Sequence, residues 1–492
     1  MSLARLFRTV RYLKPVQIFY QVWRRIQRGL EEHPKCADAK LPEFTFLNLT
    51  ARPKGWNDAS LDMLWRYNLH YFDYVNKRAC EEGLGENGRA EVEKERKWEN
   101  VIERWIEDNP EGCVPGWDPY PTSLRIVNWV KYFQTTSAHS APLRLCVEKS
   151  LRAQLDYLAS HLEWHILANH LLANLKALVI GNKFLGRDNA KWMRLYREQI
   201  AEQILPDGGH YERSVMYHAI ILEDVLDVVK FCGEDAAWLR PVAEKMLRYL
   251  VNMTCPDGRI AMFNDAAGGI AKSTDWLCEY AMRLDIDVPE VEPFVDFPQT
   301  GYTRMTAGDF VLFADAAPIG PDYQPGHAHA DTLTYELYYK GRKVVTDAGT
   351  SEYRGKRRAF ERSTAAHNVV EVEGRNSSEV WSSHRVGARA RIVKREVENG
   401  RLYAAHDGYG FEVGREWRLS ANGLAVTERI ARGCECVTRL HLAEGFDGSG
   451  LRIEGGGFSQ PFEYAVEFGK LAKGTCVAMR FDAMEKNYSI RK

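Results

Sequence analysis

Three stretches of the chain carry side chains whose types and spacing could move protons. In GHAHADTLTYEL, residues 326–337, His327, His329 and Asp331 alternate with small residues. On a strand, residues two apart share a face, so two imidazoles and a carboxylate would look the same way. In DGGHYERSVMYHAIILEDV, residues 207–225, Arg213 stands four residues before Tyr217. Helical spacing would set its guanidinium beside the phenol and favour the ionised form. An unperturbed tyrosine, with a pKa of about 10, is too weakly acidic to serve as a base near neutrality without such help. In WHILANHLLANLKALV, residues 164–179, Asn169 and His170 interrupt an apolar helical pattern, and at helical spacing they share faces with His165 and Asn174 respectively. Each stretch also has a plainer reading: helix polar groups satisfied by backbone, a packed tyrosine with its hydroxyl satisfied, or histidines on a solvated face.

A fourth stretch, VVTDAGTSEYRGKRRAFERSTAAHNVV, residues 344–370, adds Asp347 and His367. With His329 they make two imidazoles and a carboxylate from neighbouring strands, a plausible set for zinc. Between them lie Arg354, Lys356, Arg357, Arg358 and Arg362. A solvated loop is the bland account of this cluster; binding of a carboxylate or sulfate through paired guanidinium hydrogen bonds is the sharper one.

The elements that must position these groups fall into two textures. Residues 1–290 hold 15 glycines and residues 291–492 hold 23, although the second stretch is shorter. Long runs such as SVMYHAIILEDVLDVVKFC carry apolar residues at helical spacing. Past DIDVPEVEPFVDFPQT the runs become short, β-branched and aromatic, as in DFVLFADA, RKVVTDAG and LAVTERIA, and are bounded by Gly, Asp or Asn. The expected organisation is a basic N-terminal segment over 1–45, a helical domain over 46–290 and a mainly antiparallel β domain, with sheets face to face, over 291–492. No short repeat stands out, which leaves open a ring of helical hairpins without sequence repetition.

With 45% hydrophobic residues in 492, the chain can bury a large core. Its 66 Lys and Arg balance 67 Asp and Glu, so no bulk field favours nucleic acid or an anionic membrane. The ten cysteines are scattered and imply neither a zinc knuckle nor a disulfide framework. The first thirty residues are basic and aromatic, but Arg5, Arg8, Arg11 and Lys14 break any signal-length apolar run. The expectation is a cytoplasmic chain whose N-terminal segment packs on the body, with peripheral membrane contact as the minor alternative.

Taken in order, NHLLANLKAL, ERSVMYH, GHAHADTLTYEL, DAGTSEY and RSTAAHNVVEVEG resemble the heparinase II/III-like polysaccharide lyases, with related alginate lyases sharing the architecture. The resemblance implies an N-terminal incomplete (α/α) toroid followed by a C-terminal antiparallel β-sandwich, with an anionic sugar chain bound between them. It further implies β-elimination: a uronic acid loses its C5 proton and the C4 oxygen leaves, with no water consumed. Asn169 and His170 match the positions that neutralise the substrate carboxylate, Tyr217 the catalytic tyrosine, and His327 the assisting base. His329, Asp347 and His367 resemble a structural metal site, zinc by its donors. Carried upstream by LWRYNLHYFDYV and GWDPYPTSLRIVNW, the resemblance adds Tyr67, Asn68, His70, Trp117, Arg125 and Asn128 to the substrate-binding set, beside Arg213, Arg354 and Arg362. Where some members of the family carry an acidic residue three positions after the histidine of the NH pair, this chain has Ala173. A periplasmic location, common among degradative relatives, is the alternative to the cytoplasm, and the lack of a signal peptide points toward a subgroup associated with exopolysaccharide pathways. Two other functions stay in view: a glycoside hydrolase on the same architecture, which needs two carboxylates across the bond, and a non-catalytic polysaccharide-binding or assembly protein.

Overall fold

The computed structural model describes residues 3–30, 34–37, 39–76, 88–135, 140–446 and 450–492. The chain divides into two compact units: residues 15–201 with 227–237, and residues 1–14 with 202–226 and 238–492.

The first unit is helical. Helix Ala141–Ser160 starts on Ser140, whose side chain accepts from the Leu143 amide, and buries Val147, Leu151, Leu155 and Leu158 along one stripe. Helix Ala168–Phe184 is buried on all sides from Leu171 to Asn182, the pattern of a helix surrounded by others. Its entry is unusual: Leu167 has φ 67° and Ala168 φ 52°. Left-handed backbone at consecutive non-glycine residues costs energy and marks places where the surroundings enforce a geometry. The sulfurs of Cys36 and Cys113 are bonded, a pairing that the scattered cysteines did not suggest.

The second unit carries the two large antiparallel sheets. One has nine strands, including Phe310–Asp315, Tyr335–Tyr339, Arg342–Val345 and Cys436–Leu442; the other has six, including Arg401–His406, Val413–Ser420 and Gly423–Ile430. Leu312, Leu337 and Val345 of the first sheet share a buried cluster with Leu402, Trp417 and Val426 of the second. Lys340 and Gly341, both at positive φ, turn the hairpin between Tyr335–Tyr339 and Arg342–Val345, which delivers Asp347 just past its second strand. Asn368 fastens this region. Its amide donates to the Tyr335 and Thr346 carbonyls at 2.9 and 2.8 Å and accepts from the His441 amide at 2.7 Å.

The expected strand through GHAHADTLTYEL begins only at Tyr335. Upstream, the His329 amide donates to the Asn264 side chain, the Ala330 amide to the Arg362 carbonyl and the Thr334 amide to the Asp331 carbonyl. Those bonds hold a winding loop, not a pleat, so the alternation of His327, His329 and Asp331 is coincidental.

The N-terminal segment forms helices Leu3–Val10 and Pro15–Leu30. Arg5 and Arg8 both bond Glu379 at 2.9 Å, holding its carboxyl down at about 2, and the Gln17 side chain, almost fully buried, reaches the Ile166 carbonyl. Phe7, Ile18, Phe19, Val22 and Ile26 remain exposed. No helix among the described residues is long and apolar enough to cross a membrane.

Candidate functional site

In the sheet-bearing unit the organising group is Asp265, which the turn-like FNDAAGG does not advertise. Its Oδ2 accepts from His327 Nδ1 at 2.8 Å, and its Oδ1 receives His329 Nε2 and the Thr350 hydroxyl, each at 2.8 Å. Arg358 Nη2 donates to Oδ2 at 2.8 Å, and Nη1 reaches Oδ1. Burial alone would raise the pKa of this carboxyl, but Arg358 and the two histidines hold it well below the usual range. The bond from Asp265 to Nδ1 fixes the orientation of the His327 ring.

The Tyr217 ring lies 3.8 Å from that of His327, centroid to centroid, and its hydroxyl is 2.8 Å from the hydroxyl of Tyr353. Helix Val215–Cys232 begins two residues before Tyr217, with the Ser214 hydroxyl accepting from the Tyr217 amide. Arg213 is therefore outside the helix, at φ 56°, and its guanidinium donates to the Tyr211, Gln299 and Thr300 carbonyls. The expected Arg213–Tyr217 pairing is not formed; the guanidinium whose charge acts on Tyr217 and Tyr353 is that of Arg358. The cationic cluster is likewise dispersed. Arg362 is buried and donates to the Ala328 and Ser382 carbonyls, whereas Arg354 is exposed.

The potential ligand atoms of His329, Asp331 and His367 all lie within 4.8 Å of one another. His329 Nδ1 and His367 Nε2 are buried and lack a hydrogen-bond partner. Asp347, expected in this set, stands at the far side of the His367 ring. Its Oδ1 pairs with His367 Nδ1 at 2.8 Å, and its Oδ2 accepts from Thr334 at 2.6 Å.

Within electrostatic reach of Asp265 and Tyr353 sits Glu212, fully buried, with neither oxygen hydrogen-bonded. Burial, then the charge of Asp265, pushes its pKa up to about 8. His210 Nδ1 is 3.7 Å away, but burial drives that imidazole toward its neutral form, so the contact joins two uncharged groups near neutrality. Between the ordinary glutamate value of 4.5 and about 8, the native chain keeps a proton that the unfolded chain has released. Stability must then fall as pH rises through that window and level off above it. A Glu212→Gln variant, which mimics the protonated form, is expected to match wild type near the acid end and to melt higher at the alkaline end. Parallel melting curves across the pH range would contradict this.

In the helical unit, Asn169 and His170 occupy the first turn of helix Ala168–Phe184, where free amides and the helix dipole favour an anion. Asn169 is buried with its amide oxygen unpartnered. His170 Nδ1 bonds Glu163 at 3.1 Å, and Asn174 holds the same carboxylate at 3.1 Å, so His170 and Asn174 share a face as their spacing suggested. His165 precedes the helix and bonds Arg24 instead.

Of the upstream residues, Tyr67 donates to Asp118 at 2.8 Å, and Asn68 and Asn128 bond main-chain carbonyls. His70, Trp117 and Arg125 are buried scaffold. His70 lies between Trp105 Nε1 and the Trp56 carbonyl, its pKa driven by burial to about 3; Trp117 donates to the Asn109 carbonyl, and Arg125 to Gln154 and the Gly116 carbonyl. Asp265, Tyr353, Arg358, Glu163 and Glu212 are the functional candidates that the motifs did not single out. Tyr353 lay inside DAGTSEY and Arg358 inside the cationic run, so composition marked their neighbourhoods but not their partners.

Residues 53–283 match the family model described as heparinase II/III N-terminus, and residues 289–456 match that of heparinase II/III-like, C-terminal. A heparin-sulfate lyase of Pedobacter heparinus is 24% identical over 329 residues, covering 57% of this chain and 48% of that protein. A heparin-sulfate lyase of Bacteroides thetaiotaomicron is 22% identical over 313 residues, covering 52% and 44%. The chain thus spans about half the length of the curated relatives it matches. A crystal structure of heparinase III aligns with a TM-score of 0.64 at 18% identity, covering 82% of this chain and 73% of that one. The structure of a heparan sulfate lyase HepC mutant from Pedobacter heparinus gives 0.60 at 18% identity, covering 89% and 78%. These likenesses bear out the expected fold, a helical toroid followed by a β-sandwich.

Proposed function

Because the chain belongs to the heparinase II/III-like family, we propose that it is a polysaccharide lyase cleaving a uronic-acid-containing anionic chain by β-elimination. The observation that carries this reading is Tyr217 packed on His327, with His327 held by an ionised Asp265. In elimination the C5–H bond breaks, its electron pair forms the C4–C5 double bond, and the C4–O bond breaks toward the leaving sugar. Tyr217 supplies the proton to that oxygen. His327 takes the C5 proton where it lies on the opposite face of the ring, and Tyr217, once ionised, takes it where both lie on one face. By the family resemblance Asn169 and His170 are the expected donors for the substrate carboxylate, whose charge grows as the proton leaves; one such donor contributes roughly 3 to 4 kcal/mol in a transition state. A hydrolase would need two carboxylates free to flank a glycosidic bond. Asp265 is committed to Arg358 and two histidines, and Glu212 is sealed in the interior.

The direct test is ultraviolet absorbance of the unsaturated product after incubation with glucuronan, alginate, heparan sulfate, hyaluronan and bacterial exopolysaccharides. Chain shortening without that chromophore would replace elimination with hydrolysis.

We propose further that His329, Asp331 and His367 hold a divalent cation. Two unpartnered buried nitrogens and a carboxylate fit zinc, and burial of Asp331 pushes its pKa to about 6, as expected of a carboxylate awaiting a countercharge. Bound there, the ion would act as a structural pin between loops, with Asp347 orienting the His367 ring from behind. The protein as purified is expected to carry one equivalent of metal and to melt several degrees lower after chelation, recovering when zinc is restored. Metal-free protein with a melting point indifferent to both treatments would end the proposal.

A further inference from the structure

The helical unit contains a cavity of about 310 Å³, at the lower end of the range for small-ligand pockets, roughly 300–1,000 Å³. One wall comes from helix Pro15–Leu30, through Tyr20, Trp23 and Arg24. That helix lies before residue 53, where the family match begins, so nothing in the match accounts for what it does here. Arg66, Tyr157 and His161 face it across the cavity.

The lining has two chemical characters. Trp23 remains 46% exposed although it belongs to a packed helix, Tyr20 stacks near Trp164, and His161 lies flat on Tyr157 at 3.9 Å. Tyr20, Tyr157 and His161 are half-buried, and the exposed ring of Trp23 suits the apolar C–H face of a sugar. The second character is cationic. Arg24 spends one nitrogen on His165 at 2.9 Å, and Arg66 one on Asn57 at 2.6 Å, while Arg66 Nε is buried with no hydrogen-bond partner. The lining carboxylate, Asp118, is occupied by the Tyr67 hydroxyl. Arg24 also acts electrostatically on Glu163, the partner of His170, which connects the cavity to the first turn of helix Ala168–Phe184.

We propose that helix Pro15–Leu30 completes a subsite for one acidic sugar unit, with Trp23 and Tyr20 as stacking surfaces and Arg24 and Arg66 as carboxylate donors. This rests on the lyase reading for its ligand class. The subsite belongs to helix Pro15–Leu30, and its task is to hold the chain, not to react with it.

The test is calorimetric titration of full-length Tyr217→Phe protein with glucuronan and heparan sulfate oligosaccharides, and with the same oligosaccharides after reduction of their carboxyl groups to alcohols. Trp23→Ala and Arg24→Gln are each expected to weaken binding of the acidic ligand roughly tenfold, the scale of one charged hydrogen bond or its equivalent. Trp23→Phe should bind nearly as wild type, which separates a lost ring from a disturbed helix. The carboxyl-reduced ligand should bind weakly and be indifferent to Arg24→Gln. Unchanged affinity in both variants, or no binding of any acidic oligosaccharide, overturns the subsite. The two readings fail separately. If wild type cleaves a chain and the variants bind it undiminished, the subsite falls; if no chain is cleaved but binding depends on Trp23 and Arg24, the subsite stands and elimination falls.

Discussion

A Tyr217→Phe variant is expected to lose between about 10² and 10⁴ of the turnover on any chain the wild type cleaves, the usual range for a lost general acid or base. The substitution deletes one oxygen and leaves the ring against His327, so the packing survives. What disappears is the proton for the leaving oxygen, together with the hydroxyl pair that Tyr217 makes with Tyr353 at 2.8 Å. Steady-state rates followed by product absorbance, with oligosaccharide affinity measured in parallel, would separate chemistry from binding. Full turnover in the variant would remove Tyr217 from the mechanism and, with it, the main support for elimination. Tyr353→Phe should cost less, because Tyr353 acts by positioning the Tyr217 proton.

The second large effect is expected at Asp265. An Asp265→Asn side chain is isosteric but neutral, and it leaves Arg358 buried without its countercharge. Breaking one half of a buried pair in this way costs roughly 3–5 kcal/mol. The amide also offers a donor where His327 and Arg358 both need an acceptor, so the His327 ring loses the bond that selects its tautomer. Melting temperature and turnover should fall together. Adding Arg358→Gln to Asp265→Asn is expected to restore part of the stability and none of the activity, since the stranded charge is gone but His327 is still unsupported. If the double variant recovered turnover, Asp265 would be a packing residue alone.

Much of the fold was legible because periodicity and turn composition are local. The apolar spacing of residues 215–232 and the short β-branched runs after residue 291 needed no tertiary knowledge to be read as helix and strand. Tyr217 and His327 were marked by the ordered motifs that carry the family resemblance, and the structure packs one ring on the other. What escaped was partnership. Four-residue spacing pairs Arg213 with Tyr217 only on a continuous helix, and this helix begins at Val215 on the Ser214 cap, which leaves Arg213 turned toward carbonyls. The resemblance places Arg125 and Arg362 in the substrate-binding set, whereas the structure buries both. Burial by main-chain carbonyls, as at Gly116 and Ala328, leaves no mark on the sequence. Asp347 joins the expected ligand set where the structure gathers Asp331, because spacing cannot tell which side of an imidazole a carboxylate approaches.

Leu167 and Ala168 bring a final consequence. Each held in left-handed backbone costs of order 1–3 kcal/mol, which a glycine at the same position would largely avoid. Glycine is nevertheless no remedy at Leu167, whose side chain is buried and would take roughly 2–5 kcal/mol of packing with it. The strained entry and the buried leucine are therefore one feature: the packing that holds the side chain is what holds the backbone in its costly conformation, so stabilising substitutions should be sought away from this turn.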